Sequence, residues 1–422
     1  MSKVWQNRNM ENKDIKNNNK NGNSRSSYNA VGIMTGTSLD GIDVVFVKIS
    51  RENDDNSREN ADISRENDNN SKAKDKLEFI DFYFQEYPEE VREYLLYLAQ
   101  GGSATSRDFI LTSQVLGKLY VEAVEGLLSK HEGVGIDLIG IHGQTIYHSL
   151  EKEEYLGMEV SASYQIAEPS YLSERFKCPV ISDFRIRDIA AGGLGAPLVP
   201  FVEYALSSDE YNNTVFLNIG GISNITYISD DINEIMGFDT GPGNMLIDQA
   251  MMDLYDKTYD KNGEIARSGK VSEELLDIAL KNPYYEIKPP KNSGRENFGP
   301  ETYQYLKAEA LKLNLAPEDF VMTLTALTAK VNADAIQKFC PRMPEQLIVS
   351  GGGSENGRLM QSLAEFLPAV EVLKGEVLGY PNAAKEAIAF AYLGYKTLLR
   401  EENTIAQVTG AEHPVVMGKI TY

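Results

Sequence analysis

Four glycine-rich turns carry more polar chemistry than a chain reversal requires: TGTSLDG (35–41), NIGGISN (218–224), DTGPGN (239–244) and SGGGSEN (350–356). Each closes an apolar run. Glycine lets backbone N–H groups converge on an anion with no Cβ in the way. Hydroxyls such as those of Thr37 and Ser38 add donors, and nearby aspartates can hold Mg2+ directly or through water. One such turn alone reads as an ordinary hairpin or left-handed turn; four together point to a polyphosphate. The familiar alternatives are absent. Every Gly-Lys pair is followed by Leu, Val or Ile, so there is no GxxxxGK[ST], and no GxGxxG follows a strand. No HExxH or His/Cys ligand cluster occurs, so any metal is a hard, oxygen-bound one.

Other polar groups sit at the ends of apolar runs. His142 and Gln144 in IHGQT can be structural or contact a ligand. Asp183, just past the apolar PVIS in SDFRIRD, is either a turn cap or a carboxylate at a strand end. Arg185 is either a structural ion-pair partner or a partner for a substrate carboxylate, with Asp188 close by. Glu386 is a lone carboxylate in the apolar helix pattern AAKEAIAFA, and there it needs solvent or a partner. Lys291 and Arg295 in KNSGREN are cations in an acidic chain, facing an anionic ligand or only solvent.

The elements that must position these groups alternate strand and helix. AVGIMTG with IDVVFVKI reads as a hairpin, LEFIDFYF as a third strand, and 88–100 and 107–131 as helices. TVFLNIGGISNITYI is a second hairpin, followed by EIMGFDTGPGN and a helix from about 243. Residues 316–339 are a long helix, EQLIVSGGG a buried strand entering a turn, and AAKEAIAFAYLGYKTLL a closing helix. The glycine-turned hairpin thus occurs twice, each time opening a series of strands and helices. That pattern predicts two similar α/β lobes, 29–200 and 201–422, facing a cleft. Residues 1–28 read as a disordered tail. Residues 50–76, with SREN at 50, 57 and 64, read as a disordered surface insertion because no apolar residue fills a coiled-coil seam. On that reading, removing 51–75 leaves activity intact.

At 422 residues, 42% of them hydrophobic, the chain has room for two domains with sizeable cores. A net charge of −21 argues against nucleic acid as a partner, though not against a nucleotide. The only cysteines, Cys178 and Cys340, make no disulfide framework. The polar start lacks a signal-peptide core and no apolar run reaches the ~20 residues of a membrane span. The expectation is a cytoplasmic protein without a membrane partner; a homodimer is an option the sequence leaves open.

GIMTGTSLDGID, IHGQT, SDFRIRDIAAGGLGAPLVP, LNIGGISNIT, GFDTGPGN, KNSGRENF and SGGGSEN occur in the order found in anhydro-N-acetylmuramic acid kinases. VTGAEHPVVMGKI is similar to that family's ending. The resemblance runs from about residue 30 to the C-terminus, interrupted by the insertion. It implies the actin-like/ribonuclease H-like ATPase fold, α/β with duplicated mixed sheets and a central cleft. It also implies ATP and Mg2+ as cofactors and a reaction in peptidoglycan recycling. In that reaction water opens the 1,6-anhydro ring of anhydro-N-acetylmuramic acid while the freed O6 is phosphorylated, giving N-acetylmuramate 6-phosphate.

By the same resemblance Asp183 matches the general base and Glu386 a second acid that positions the attacking water. The first phosphate loop falls on Gly36, Thr37, Ser38, Leu39, Asp40, Gly41, Ile42 and Asp43, with Thr35 where serine is usual. Gly220 and Gly221 would clamp the phosphates from the other lobe, and Gly351, Gly352 and Gly353 would pass beside the nucleoside. His142, Gln144 and Arg185 would meet the sugar. Asp43 and Asp239 are candidates for metal-bound water, Asp40 an alternative to Asp43. The family often has Asp where this chain has Ala383, a departure that Asn382 could offset by capping the helix. Two other readings stay open: a kinase for another anhydrosugar such as levoglucosan, and a conformational ATPase of the actin/Hsp70 kind, which would lack the Asp183-type base.

Overall fold

The computed structural model describes residues 26–36, 38–51, 75–149, 152–206 and 211–422, with the side chains of Arg295 and Glu296 left out. The expected tail through residue 25, Thr37 and the body of the insertion, 52–74, lie outside the described residues. Strands β1 (Ser27–Met34), β2 (Gly41–Arg51), β3 (Asp75–Glu86) and β4 (Leu138–Ile141) come first. β5 (Gln144–His148), β6 (Glu153–Tyr155), β7 (Met158–Val160) and β8 (Ser163–Ile166) make two small antiparallel pairs, β5 with β8 and β6 with β7. β9 (Val180–Ser182) is followed by β10 (Thr214–Ile219), β11 (Ile222–Ile228), β12 (Met236–Pro242), β13 (Gln346–Ser350), β14 (Glu371–Lys374) and β15 (Lys419–Thr421).

The first sheet runs β15-β9-β4-β1-β2-β3 and the second β12-β11-β10-β13-β14. In each, a hairpin and a third antiparallel strand lie to one side of the opening strand, and a parallel pair to the other. The twice-used hairpin of the sequence is therefore a twice-used sheet. This is the duplicated mixed-sheet architecture of the actin-like fold.

One consequence matters for the site. β1, β4 and β9 are parallel neighbours, so the segments after them, beginning at Thr35, His142 and Asp183, leave one edge of the first sheet together. β10, β12 and β13 likewise end on one edge of the second sheet, delivering Gly220, Gly243 and Gly351.

The closing helix, Lys385–Leu398, lies against β1 and β4 at unusually short range. Gly32 and Gly140 are register partners. A Cβ at Gly32 would come within 1.9 Å of the Ala387 carbonyl oxygen, and one at Gly140 within 2.0 Å of that of Phe390. Ala387, Phe390, Ala391 and Tyr392 then share a core with Val45, Val47 and Leu138. The opposite face is covered by helix Ser106–Leu128, whose Thr105–Asp108 capping box fixes its start. Helix Pro317–Phe339 serves the second sheet, packing Ala329, Ala333 and Ile336 on Val215, Leu217 and Val349. The closing helix and β15 thus pack with the first sheet although both lie within 201–422. Those residues are the return of the chain to its first lobe.

The stem of the insertion is anchored. Asp75, almost fully buried, pairs with Lys396 and accepts from the Tyr392 hydroxyl at 2.8 Å. Arg51 bridges Asp75 at 3.3 Å and Glu401 at 2.7 Å. Burial alone would push the Asp75 carboxyl up; the hydrogen bonds from Lys396 and Tyr392 hold it below its ordinary value. So 50–51 and 75–76, expected within the insertion, are strand ends. β1 likewise begins at Ser27, inside the expected tail.

Candidate active site

The first loop is held from below. Gln144, fully buried, donates its amide to the Gly36 carbonyl at 2.9 Å and accepts from the Tyr87 hydroxyl at 3.4 Å. The side chain expected to meet a sugar is thus committed to the loop. Leu39 takes a left-handed conformation (φ 57°) with its side chain buried, which leaves Ser38 and Asp40 exposed on either side. The Ser38 hydroxyl donates to Asp40 at 2.6 Å. Gly41 and Ile42 are buried at the start of β2. Next comes Asp43, whose carboxyl is raised to about 7 by burial first, then by Asp40 and Glu386.

His142 is buried and tilted against Phe390, ring centroids 4.6 Å apart. Its Nε2 accepts from the Arg185 guanidinium at 2.9 and 3.1 Å. Burial and that cation hold His142 well below the ordinary imidazole range, so it is neutral. Arg185 also donates to the Gly195 carbonyl at 2.7 Å. Burial lowers its pKa to about 10, opposed by Glu386 and Asp188. Asp188 is fully buried, accepting from the Gly195 N–H at 2.8 Å and the Thr409 hydroxyl at 2.7 Å. His142 is thus an orienter of Arg185, and Asp188 an orienter of the GGLG loop beside it.

Asp183 follows β9 in a left-handed conformation (φ 55°), a non-glycine backbone state that usually marks a constrained position. It is partly exposed and pairs with Lys419 of β15. Glu386, in the first turn of the closing helix, is exposed at its surface. Desolvation raises its carboxyl, and Lys385 and Arg185 oppose the rise. Asn382 does not cap this helix. Its amide donates to Ser354 Oγ at 3.1 Å and to Glu376 at 3.0 Å, and no side chain caps the helix start.

In the second lobe the glycine turns interlock. The N–H groups of Gly243 and Asn244 donate to the carbonyls of Gly221 and Gly220 at 2.9 and 2.7 Å. A Cβ on Gly243 would stand 2.2 Å from the Gly220 oxygen. Gly351 has φ +78°, and a Cβ on Gly353 would strike the Ile219 side chain at 2.4 Å. Gly220, Gly221 and Gly352 keep open surface. From below, Thr328 donates to the Gly243 carbonyl at 2.8 Å, and Asn332 to Thr328.

Asp239 and Lys291 are engaged by protein groups. Asp239 accepts from the Ser293 N–H at 2.8 Å and lies near Lys291, so it fastens the 291–294 segment. Lys291 is buried with its ammonium 4.5 Å from the Tyr284 ring centroid and 5.1 Å from that of Phe339. Burial lowers it to about 8, and it donates to the Tyr284 carbonyl at 3.2 Å. Among the described residues no group of three or more His, Cys, Asp or Glu side chains is arranged to hold a metal. Lys385, inside AAKEAIAFA, and Lys419, inside VTGAEHPVVMGKI, are neighbours of Glu386 and Asp183 that their motifs do not single out.

An actin-like pair of lobes with glycine turns on one side and a carboxylate–arginine set on the other defines a sugar-kinase type of protein. A family model described as Anhydro-N-acetylmuramic acid kinase matches residues 28–422. The protein of that name from Caldanaerobacter subterraneus subsp. tengcongensis is 40% identical over 93% of this chain and 96% of its own length. Its namesake from Clostridioides difficile is 38% identical over 93% and 98%. The chain belongs to the anhydro-N-acetylmuramic acid kinase family. Among solved structures, a ROK family glucokinase from Streptomyces griseus covers 87% of this chain and 99% of its own at 12% identity and a TM-score of 0.37, too loose to transfer any residue. No described helix is long and apolar enough to cross a membrane.

Proposed function

We propose that the protein hydrolyses the 1,6-anhydro bridge of anhydro-N-acetylmuramic acid and transfers the γ-phosphoryl group of ATP to the freed O6, yielding N-acetylmuramate 6-phosphate for cell-wall recycling. The cytoplasm, which holds ATP, is the compartment. One observation supports the site reading: the segments beginning at Thr35, His142 and Asp183 leave one edge of the first sheet, and the charge of Glu386 is felt at both Asp43 and Arg185.

Water attacks the anomeric carbon, and its proton passes to the Asp183 carboxylate as the C1–O6 bond breaks. The electron pair left on O6 attacks the γ-phosphorus, and the bond to the bridging oxygen breaks to release ADP. Glu386 orients the water. Arg185, aimed by His142, faces the substrate's lactyl carboxylate. The loop from Gly36 to Gly41 and the turn at Gly220 and Gly221 would receive the phosphates, with Gln144 and the 241–244 turn fixing their positions. Asp43 would hold Mg2+ through bound water: its carboxyl is raised to about 7 by burial and then by the charges of Asp40 and Glu386, which a hard cation would offset. Asp239, engaged by Ser293, fits it less well. When bound, magnesium supplies charge neutralisation for the phosphates.

Purified protein with ATP and Mg2+ should release ADP only when an anhydrosugar is added, faster with anhydro-N-acetylmuramic acid than with levoglucosan. Equal hydrolysis without sugar would sink the proposal; preference for levoglucosan would reassign the substrate.

A further inference from the structure

The first turn of the closing helix belongs to the first lobe by packing and to the second by its polar contacts. Lys385 is the centre of this strap. Its ammonium stands 2.6 Å from Glu203 Oε1, both side chains largely buried. It donates to Ser350 Oγ at 3.4 Å and lies 5.4 Å from the Phe216 ring centroid. Ser350 ends β13 and immediately precedes the Gly351–Gly353 turn. Three residues before Lys385, Asn382 donates to Ser354, which in turn donates to the Gly351 carbonyl at 2.7 Å. One residue after it is Glu386, near Asp43 of β2 and Arg185 beyond β9. Glu203 sits on helix Val199–Leu206, whose Val202 joins the first core while Phe201 and Tyr204 reach the core under β10 and β13.

We propose that Lys385 is a positioning residue that couples the nucleotide-side turn at 350–354 to the carboxylate of Glu386, so that ATP and sugar bind with positive cooperativity. The inference rests on the kinase reading above. A shift of the 351–354 turn on nucleotide binding pulls on two hydrogen bonds, from Asn382 and from Lys385, that flank the helix start. Glu386 is the next residue along and moves with that turn of helix. A buried ammonium held between a carboxylate and a hydroxyl has few alternative partners, so it transmits displacement instead of absorbing it. Lys385 need not touch either substrate to do this.

The test is a binding cycle on the full chain. Anhydro-N-acetylmuramic acid is titrated calorimetrically with and without a non-hydrolysable ATP analogue and Mg2+, in wild type, Lys385→Met, Lys385→Arg and Asn382→Ala. In wild type the analogue should tighten sugar binding roughly fivefold or more. In Lys385→Met that factor should fall towards one, with the affinity for sugar alone changed less than about twofold. Lys385→Arg, which keeps the cation, should restore part of it, and Asn382→Ala should lose part of it. Thermal melting reports whether Lys385→Met folds; if it does not, the Asn382→Ala factor decides. Wild-type turnover with a factor unchanged in the variants overturns the inference and leaves the kinase reading standing. No cooperativity in an active wild type also overturns it. No sugar-dependent turnover at all overturns the kinase reading itself.

Discussion

Asp43 at the start of β2 and Glu386 at the start of the closing helix lie within electrostatic reach, although the two elements are far apart in the chain. Burial, Asp40 and then Glu386 raise the Asp43 carboxyl from 3.8 to about 7. The folded pKa lies above the unfolded one, so the folded state holds the extra proton between those values. That stability is fully present below pH 3.8 and is lost as pH rises through about 7. Asp43→Asn should therefore match the wild type near pH 4 and exceed it at pH 8 by about 1–2 kcal/mol, a range discounted for partial exposure. Urea unfolding at stepped pH without nucleotide measures the gap; a gap that does not change with pH would contradict the assignment.

Asp183→Asn should lower turnover by about 10²–10⁴-fold, the usual contribution of a general base, with little change in ATP binding. The partner on β15 makes a second comparison. Lys419 is mostly exposed, so Lys419→Ala should cost at most ~1 kcal/mol in urea unfolding. Near-wild-type turnover in Asp183→Asn would remove it as the base.

The buried pair at the stem of the insertion changes what a deletion can test. Excising 51–75, expected from sequence to be harmless, removes Asp75 and leaves Lys396 buried without its closest carboxylate. Asp75→Ala should destabilise by about 3–5 kcal/mol. Excision of 53–73, which spares both stem residues, should leave the midpoint and the turnover unchanged. Equal loss of stability in the two deletions would give the insertion a structural role beyond its stem.

Gly243 tests the second-lobe clamp. A methyl group there must displace the Gly220 carbonyl, which would lie 2.2 Å away. Gly243→Ala should raise the KM for ATP at least about tenfold and lower stability by about 1–3 kcal/mol. An unchanged KM for ATP would separate this turn from nucleotide binding.

The hairpins, the long helices and the four turns are legible in the sequence because each is local: apolar periodicity ending in a glycine is written in consecutive residues. Asp183, Arg185 and Glu386 are recognisable as chemistry from their motifs. Their supports are not. That Gln144 serves a carbonyl at Gly36, or His142 a guanidinium at Arg185, depends on which strands become neighbours, and pairing between distant strands leaves little local trace. Lys291 shows the opposite difficulty. A lysine in a polar segment reads as surface, and its burial is made tolerable by groups contributed from elsewhere: the Tyr284 carbonyl it donates to at 3.2 Å and the rings of Tyr284 and Phe339. The strands β14 and β15 are too short to announce themselves.

The return of the closing helix to the first sheet has a bearing on synthesis. β1 leaves the ribosome well before the helix that seats on Gly32 and Gly140 and before the edge strand beside β9. The second sheet and its helix Pro317–Phe339 are complete in the nascent chain before then. Domains generally fold from the N-terminus as the chain emerges. Here the order is inverted: the earlier-made sheet keeps one apolar face without its helix until the residues around 385–398 have been added.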